Sequence, residues 1–229
     1  VTSQWLSWLT RYRAIAVIRA PNISLGRQMA EAVAAAGMRL IEITWTNPGA
    51  ANLVAQLRSE LPHCQIGVGT IMSLPELRDA IAAGAQFCFS PHTDTGLIQQ
   101  AQAQQVPMIP GALTPNEIVT AWQAGASSVK VFPISAVGGV EYIRSLQGPL
   151  GHIPLIPTGG VTLENAPQFL AAGAEAVGLA GQLFPAAALS QGDWPCLRRR
   201  AEYLQQQLGL PPCGQAATGT DDPTNLTQL

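Results

Sequence analysis

The chain has 229 residues, 47% of them hydrophobic and 11% charged, with a formal net charge of -2 at pH 7. That is material for a sizeable core, in one large domain or two small ones. There is no basic block to follow a nucleic-acid backbone, and no apolar run nears the roughly 20 residues of a membrane helix.

The opening stretch VTSQWLSWLTRYR lacks a basic segment followed by a long apolar one, so no signal peptide is expected. Trp5, Leu6, Trp8 and Leu9 recur at helical spacing and predict a short amphipathic helix that packs into the core as a cap. AIAVIRA (14–20) reads as a strand and SLGRQMAEAVAAAG (24–37) as a helix, with Ser24 as N-cap and Gly37 as stop. Further strands are predicted at 40–45, 65–70, 86–91, 106–111, 128–132, 153–160 and 176–180. Helical patterns separate them: AANLVAQLRSEL, SLPELRDAIAAG, TGLIQQAQAQQ, TPNEIVTAWQAG, GVEYIRSLQGPL and TLENAPQFLAAG, with a last helix over 193–208. Thr114, Pro115 and Glu117 open one of them as a capping box with proline at its first position. An Ala-Gly stop recurs at Gly37, Gly84, Gly125 and Gly173, each time just before a strand.

Eight strands, each followed by a helix, point to a single α/β domain over 1–208, a closed (β/α)8 TIM barrel. An open doubly wound sheet would use fewer strands, and no GxGxxG follows the first one. Residues 209–229 lack apolar periodicity and read as a loose tail. Cys64, Cys88, Cys196 and Cys213 fit neither a zinc pair nor a disulfide framework, which points to a reducing, cytoplasmic setting. His63, His92 and His152 fall in separate segments, so neither a metal site nor a cofactor is expected.

The chemistry centres on Lys130, the only lysine, placed between Val129 and Val131. Strand side chains alternate. If those valines face outer helices, Lys130 faces the interior; by the same count Glu42 and Thr44 face in while Ile41 and Ile43 face out. Arg19, Thr70 and the run Thr158-Gly159-Gly160 close other strands at the same end, where such barrels hold their active sites. Each has a plainer reading. A strand lysine can lay its stem along the core and put its ammonium in water, Glu42 can be an ion-pair partner of Lys130 or Arg19, and Thr70 can satisfy a backbone group. Together they suit imine chemistry. A lysine amine attacks a carbonyl only when neutral, about one molecule in 2,500 at pH 7 for an unperturbed group. Burial favours the neutral form, whereas a carboxylate close by opposes it. The imine then acts as an electron sink for carbon–carbon cleavage, and a positioned carboxyl moves the protons.

The segments LIEITWTNP, GVGTI, SPH, PGALTPNE, VKVFPISAVGG and IPTGGVTLEN, in that order over about residues 13 to 185, resemble the bacterial aldolases that cleave 2-keto-3-deoxy-6-phosphogluconate (KDPG) and their relatives acting on the galactonate isomer or 4-hydroxy-2-oxoglutarate. The resemblance implies a keto-acid substrate and a homotrimer. It implies Lys130 as the Schiff-base lysine and Glu42 as general acid/base. Thr70 would contact the pyruvate carboxylate, Phe132 would pack on the pyruvyl group, and Thr158, Thr46, Pro91 and Arg19 would complete the substrate-binding set. Gly159 and Gly160, with Ala180 and Gly181, would form the phosphate pocket. Two positions depart from the pattern. Thr46 stands where gluconate-type enzymes carry an arginine, while Arg19 resembles the galactonate branch; and Ala180-Gly181 replaces a usual Gly-Ser, losing a hydroxyl donor. Two alternatives remain: a phosphosugar isomerase or epimerase on the same barrel, and a keto-acid-binding protein without catalysis.

Overall fold

The computed structural model describes residues 2–210. The chain runs α1 (Thr2–Tyr12), β1 (Ala14–Ile18), α2 (Ile23–Ala35), β2 (Leu40–Thr44), α3 (Ala50–Glu60), β3 (Gln65–Gly69), α4 (Leu74–Ala82) and β4 (Cys88–Phe89). It continues through α5 (Thr95–Ala103), β5 (Met108–Ile109), β6 (Gly111–Ala112), α6 (Pro115–Gln123), β7 (Val129–Val131), a 3-10 turn (Ile134–Val137) and α7 (Val140–Leu150). β8 (Leu155–Pro157), α8 (Ala166–Ala171), β9 (Val177–Leu179), α9 (Ala186–Gln191) and α10 (Trp194–Gln207) complete it.

Among the described residues all strand pairs are parallel, in two sheets ordered β5-β4-β3-β2-β1-β9 and β6-β7-β8. A lone parallel bridge, Thr158 to Gly178, links the end of β8 to β9. The expected strand at 106–111 is two short pieces, β5 and β6, because Pro110 between them has no N–H to donate to a ladder. The carbonyl of Pro110 still accepts from the Lys130 amide at 2.9 Å.

Local chemistry explains the helix ends. Thr114 caps α6 and Glu117 answers with its carboxylate, a complete capping box. α2 is capped by Asn22 rather than Ser24, its side chain accepting from the Leu25 amide at 2.8 Å. The segment expected as a helix from Thr162 first makes a turn, in which Thr162 and Asn165 exchange side-chain-to-backbone bonds. α8 starts only at Ala166, so Pro167 falls in its first turn, where proline is tolerated. Gly37, Gly84, Gly125 and Gly173 follow their helices with φ of 95° to 101°, a region closed to most side chains. The expected loose tail lies, beyond Leu210, outside the described residues.

The alternation of β2 and β7 sorts the core. Ile41, Ile43, Val129 and Val131 join the large cluster formed with helix residues such as Leu53, Leu77 and Ile143. A second cluster gathers Trp5 and Leu9 of α1 with Ile15, Leu40, Phe87, Phe89, Ile109, Ile156 and Ala176 from the strands. Trp5 is fully buried, lies 5.1 Å from the Phe87 ring, and donates its indole N–H to the Ser128 hydroxyl at 2.9 Å. An indole with its one donor satisfied contributes strongly to stability; truncating such a residue costs about 3–5 kcal/mol.

Candidate active site

The strand ends converge on a cavity of about 470 Å³. Its lining includes Arg19, Glu42, Thr70, Pro91, Lys130, Phe132, Thr158, Gly159, Gly160, Ala180 and Gly181, eleven of the twelve residues that the family resemblance assigns to the site, and Thr44, expected to face inward. Thr46 is the exception. It is exposed, does not line the cavity, and turns its hydroxyl to Thr44 at 3.3 Å. β2 ends at Thr44, so the inward-outward alternation stops before position 46 and the chain turns away toward α3.

Lys130 is 7% exposed. Its Nζ stands 4.7 Å from the Phe132 ring centre and 5.8 Å from that of Phe89. The amine therefore ends among ring faces inside the cavity rather than in bulk water. Glu42 is 2% exposed and makes no ion pair with Lys130 or Arg19. Burial pushes its carboxyl above the ordinary range, and the charges of Lys130 and then Arg19 pull it partly back. A carboxyl so placed can hold and release a proton nearer neutral pH than an exposed glutamate can.

Thr70 sits just past β3 with φ of 62°, a left-handed conformation that is a true outlier for a β-branched residue. The surrounding strands hold that strain and set its side chain in the cavity. Thr158 is 9% exposed and leans across Gly178, which has no side chain to displace it. At the far end Gly159 and Gly160 both have positive φ, 79° and 106°, and bare backbone lines the cavity there. Among the described residues no charged side chain lines that end, only Thr162 and Gln182 beside the glycines and Val161.

Val17, Val161, Thr162, Gly178 and Gln182 line the cavity without having been expected. Val17 and Gly178 were legible from strand alternation once Arg19 and Ala180 were placed inward; the others lie on turns that carry no period. Gln182 is held in place by Arg200 of α10, whose Nε donates to its carbonyl at 2.6 Å. His92 does not line the cavity; its Nδ1 is buried without a hydrogen-bond partner. Among the described residues no cluster of three or more His, Cys, Asp or Glu could hold a metal ion.

A buried amine and a buried, unpaired carboxyl sharing one cavity at the ends of parallel strands are the equipment of imine-forming carbon–carbon lyases. Comparison with known proteins agrees. The family model for KDPG and KHG aldolases, the latter acting on 4-hydroxy-2-oxoglutarate, matches residues 6–199. The chain is 33% identical over 186 residues to the 2-dehydro-3-deoxy-phosphogluconate aldolase of Dickeya dadantii, covering 81% of this chain and 87% of that one. It is 31% identical over 195 residues to the KHG/KDPG aldolase of Escherichia coli K12, covering 85% and 92%. In structure it is similar to the KDPG aldolase of Legionella pneumophila, captured with pyruvate as a covalent carbinolamine: TM-score 0.81, 26% identity, covering 87% of this chain and 97% of that one. The chain belongs to the KDPG and KHG aldolase family of lyases.

Proposed function

We propose that this protein is a class I aldolase that cleaves a 2-keto-4-hydroxy acid, KDPG or 4-hydroxy-2-oxoglutarate, to pyruvate and an aldehyde. The observation that carries this reading is the sole lysine, 7% exposed, in one cavity with the buried carboxyl of Glu42. The neutral Lys130 amine adds to the C2 carbonyl of the substrate. The carbinolamine loses water to give a protonated imine. Glu42, as carboxylate, takes the proton of the C4 hydroxyl; the C3–C4 bond breaks, the aldehyde departs, and the bonding electrons pass to the imine as an enamine. Glu42 returns the proton to C3, and water releases pyruvate and the free amine.

Phe132 and Pro91 would flank the pyruvyl group. Thr70 and Arg19 would bind its carboxylate, and Thr158 the middle of the substrate. The amides of Gly159, Gly160, Ala180 and Gly181 would meet the distal anion. We further infer that the two sheets close as one (β/α)8 barrel. β5 and β6 act as one strand interrupted at Pro110, and the Thr158–Gly178 bridge supports the other seam. The family resemblance supports a homotrimer, which light scattering tests, and the cysteine pattern supports a reducing, cytoplasmic setting.

The deciding experiment is borohydride reduction in the presence of pyruvate. One covalent adduct is expected, mapping to the peptide that contains Lys130, the only lysine of the sequence. No adduct, or one confined to a chain terminus, overturns the reading.

A further inference from the structure

Asn47 follows Thr46, which stands where the resemblance places an arginine, and it is 5% exposed. Its Oδ1 accepts from the Ala20 amide at 3.0 Å and from the Thr44 hydroxyl at 2.8 Å. Its Nδ2 donates to the Ile18 carbonyl at 3.3 Å. The two backbone contacts fall on either side of Arg19. Ile18 and Ala20 are both buried, while the Arg19 side chain is exposed and lines the cavity. The arginine thus projects from a two-residue bracket whose clamp is a side chain of another strand's turn.

Asparagine suits this task because one head carries both an acceptor and a donor. The acceptor meets an N–H on one side of Arg19 and the donor meets a C=O on the other. Its own amide donates to the Thr44 carbonyl at 3.0 Å, closing the turn, and Pro48 restricts its backbone. Thr44 lines the same cavity, so the network reaches two of its walls.

We propose that Asn47 is a positioning residue for substrate recognition, holding the Arg19 guanidinium at the cavity mouth. This rests on the reading of the cavity as an aldolase site in which Arg19 meets an anionic group of the keto acid. β1 continues past Ile18 only as irregular chain. Without the clamp, the backbone that carries Arg19 loses two of the bonds that fix its direction. The guanidinium would still be present but no longer fixed, and binding would weaken while the amine and carboxyl chemistry stays intact.

A double-mutant cycle on the full chain tests it, with cleavage of KDPG and of 4-hydroxy-2-oxoglutarate as the probes. Asn47→Ala should raise KM about tenfold with kcat within about twofold, the scale of losing a charge-assisted contact. In the Arg19→Ala background the same change should alter KM by less than about twofold, because the residue acts through the arginine. Equal fold-changes in both backgrounds, or an unchanged KM, overturn the proposal and leave Asn47 a stitch between strands. If Asn47→Ala does not fold, Asn47→Ser runs the same cycle, since it keeps a hydroxyl at the site and loses the amide donor. The functional reading fails separately: a wild-type protein that forms no borohydride adduct with pyruvate overturns it before any variant is compared, and the proposal falls with it.

Discussion

Gly69 lies directly beneath the Glu42 carboxylate: a side-chain carbon at position 69 would overlap Oε1. The two strands run in parallel register with Glu42 opposite Gly67 and Thr44 opposite Gly69, so the carboxyl leans two residues along toward the end of β3. Only glycine leaves that space open.

Gly69→Ala should therefore move Glu42 without altering its chemistry. We expect exchange of the pyruvate methyl protons to slow about 10²-fold, the scale of a lost acid/base group. The overpacking should cost about 1–3 kcal/mol of stability. Wild-type exchange rates in a folded Gly69→Ala variant would show that the carboxyl does not need this seat.

Glu42→Gln separates chemistry from stability. Borohydride trapping at Lys130 should persist, while methyl exchange slows by about 10²-fold or more. The pH dependence has a definite sign. Burial raises the carboxyl's pKa in the folded state, so the native protein holds the proton at a pH where the unfolded chain, titrating near about 4.3, has released it. The stability contributed by Glu42 is fully present below the unfolded value and is lost as pH rises through the folded one. The glutamine variant has no such loss. Its melting temperature relative to wild type should climb as pH rises from about 4, and a difference that stays flat across that range contradicts a raised carboxyl.

Arg19→Ala should leave the fold intact and raise KM about 10- to 150-fold, the worth of a hydrogen bond to a charged group. Loss on phosphorylated and unphosphorylated keto acids alike assigns the guanidinium to the carboxylate. Loss confined to phosphorylated substrates assigns it to the phosphate. Unchanged kinetics on both would make Arg19 structural.

Gly181→Ser restores a hydroxyl at the distal end. A side-chain carbon there meets nothing within 4 Å, so the substitution should be neutral for melting temperature. A new hydroxyl-to-phosphate bond should lower KM for KDPG about 2- to 10-fold and leave 4-hydroxy-2-oxoglutarate unaffected. An equal change on both substrates would place position 181 away from the phosphate.

Much of the architecture was legible because parallel strands between helices leave a strong alternation, and the recurring Ala-Gly stops mark four of the returns to the sheet. Lys130 and Glu42 stood out for the same reason: each breaks an apolar run on the inward count. The failures have local causes. Pro110 divides a strand whose side-chain pattern is unbroken, because the fault lies in the backbone donor. α9 has six residues and no side-chain cap, too short to show a period. Thr46 was placed by its position in a motif, but the strand had already ended. The turn buries Asn47 and leaves Thr46 outside, a choice made by hydrogen bonds that no spacing reveals.

The aromatic plug formed by Trp5, Phe87 and Phe89 has a kinetic consequence. It fills the end of the strand interior nearest α1, and Phe89 also stands beside the Lys130 amine. The amine is thus reached from the mouth alone, and whatever is bonded to it sits behind whatever fills the rest of the cavity. With pyruvate bonded to that amine, as proposed above, traffic would be ordered: the aldehyde would leave before pyruvate, and in the reverse direction pyruvate would load first. Product inhibition should carry that signature, with pyruvate competing against the keto acid and the aldehyde not doing so.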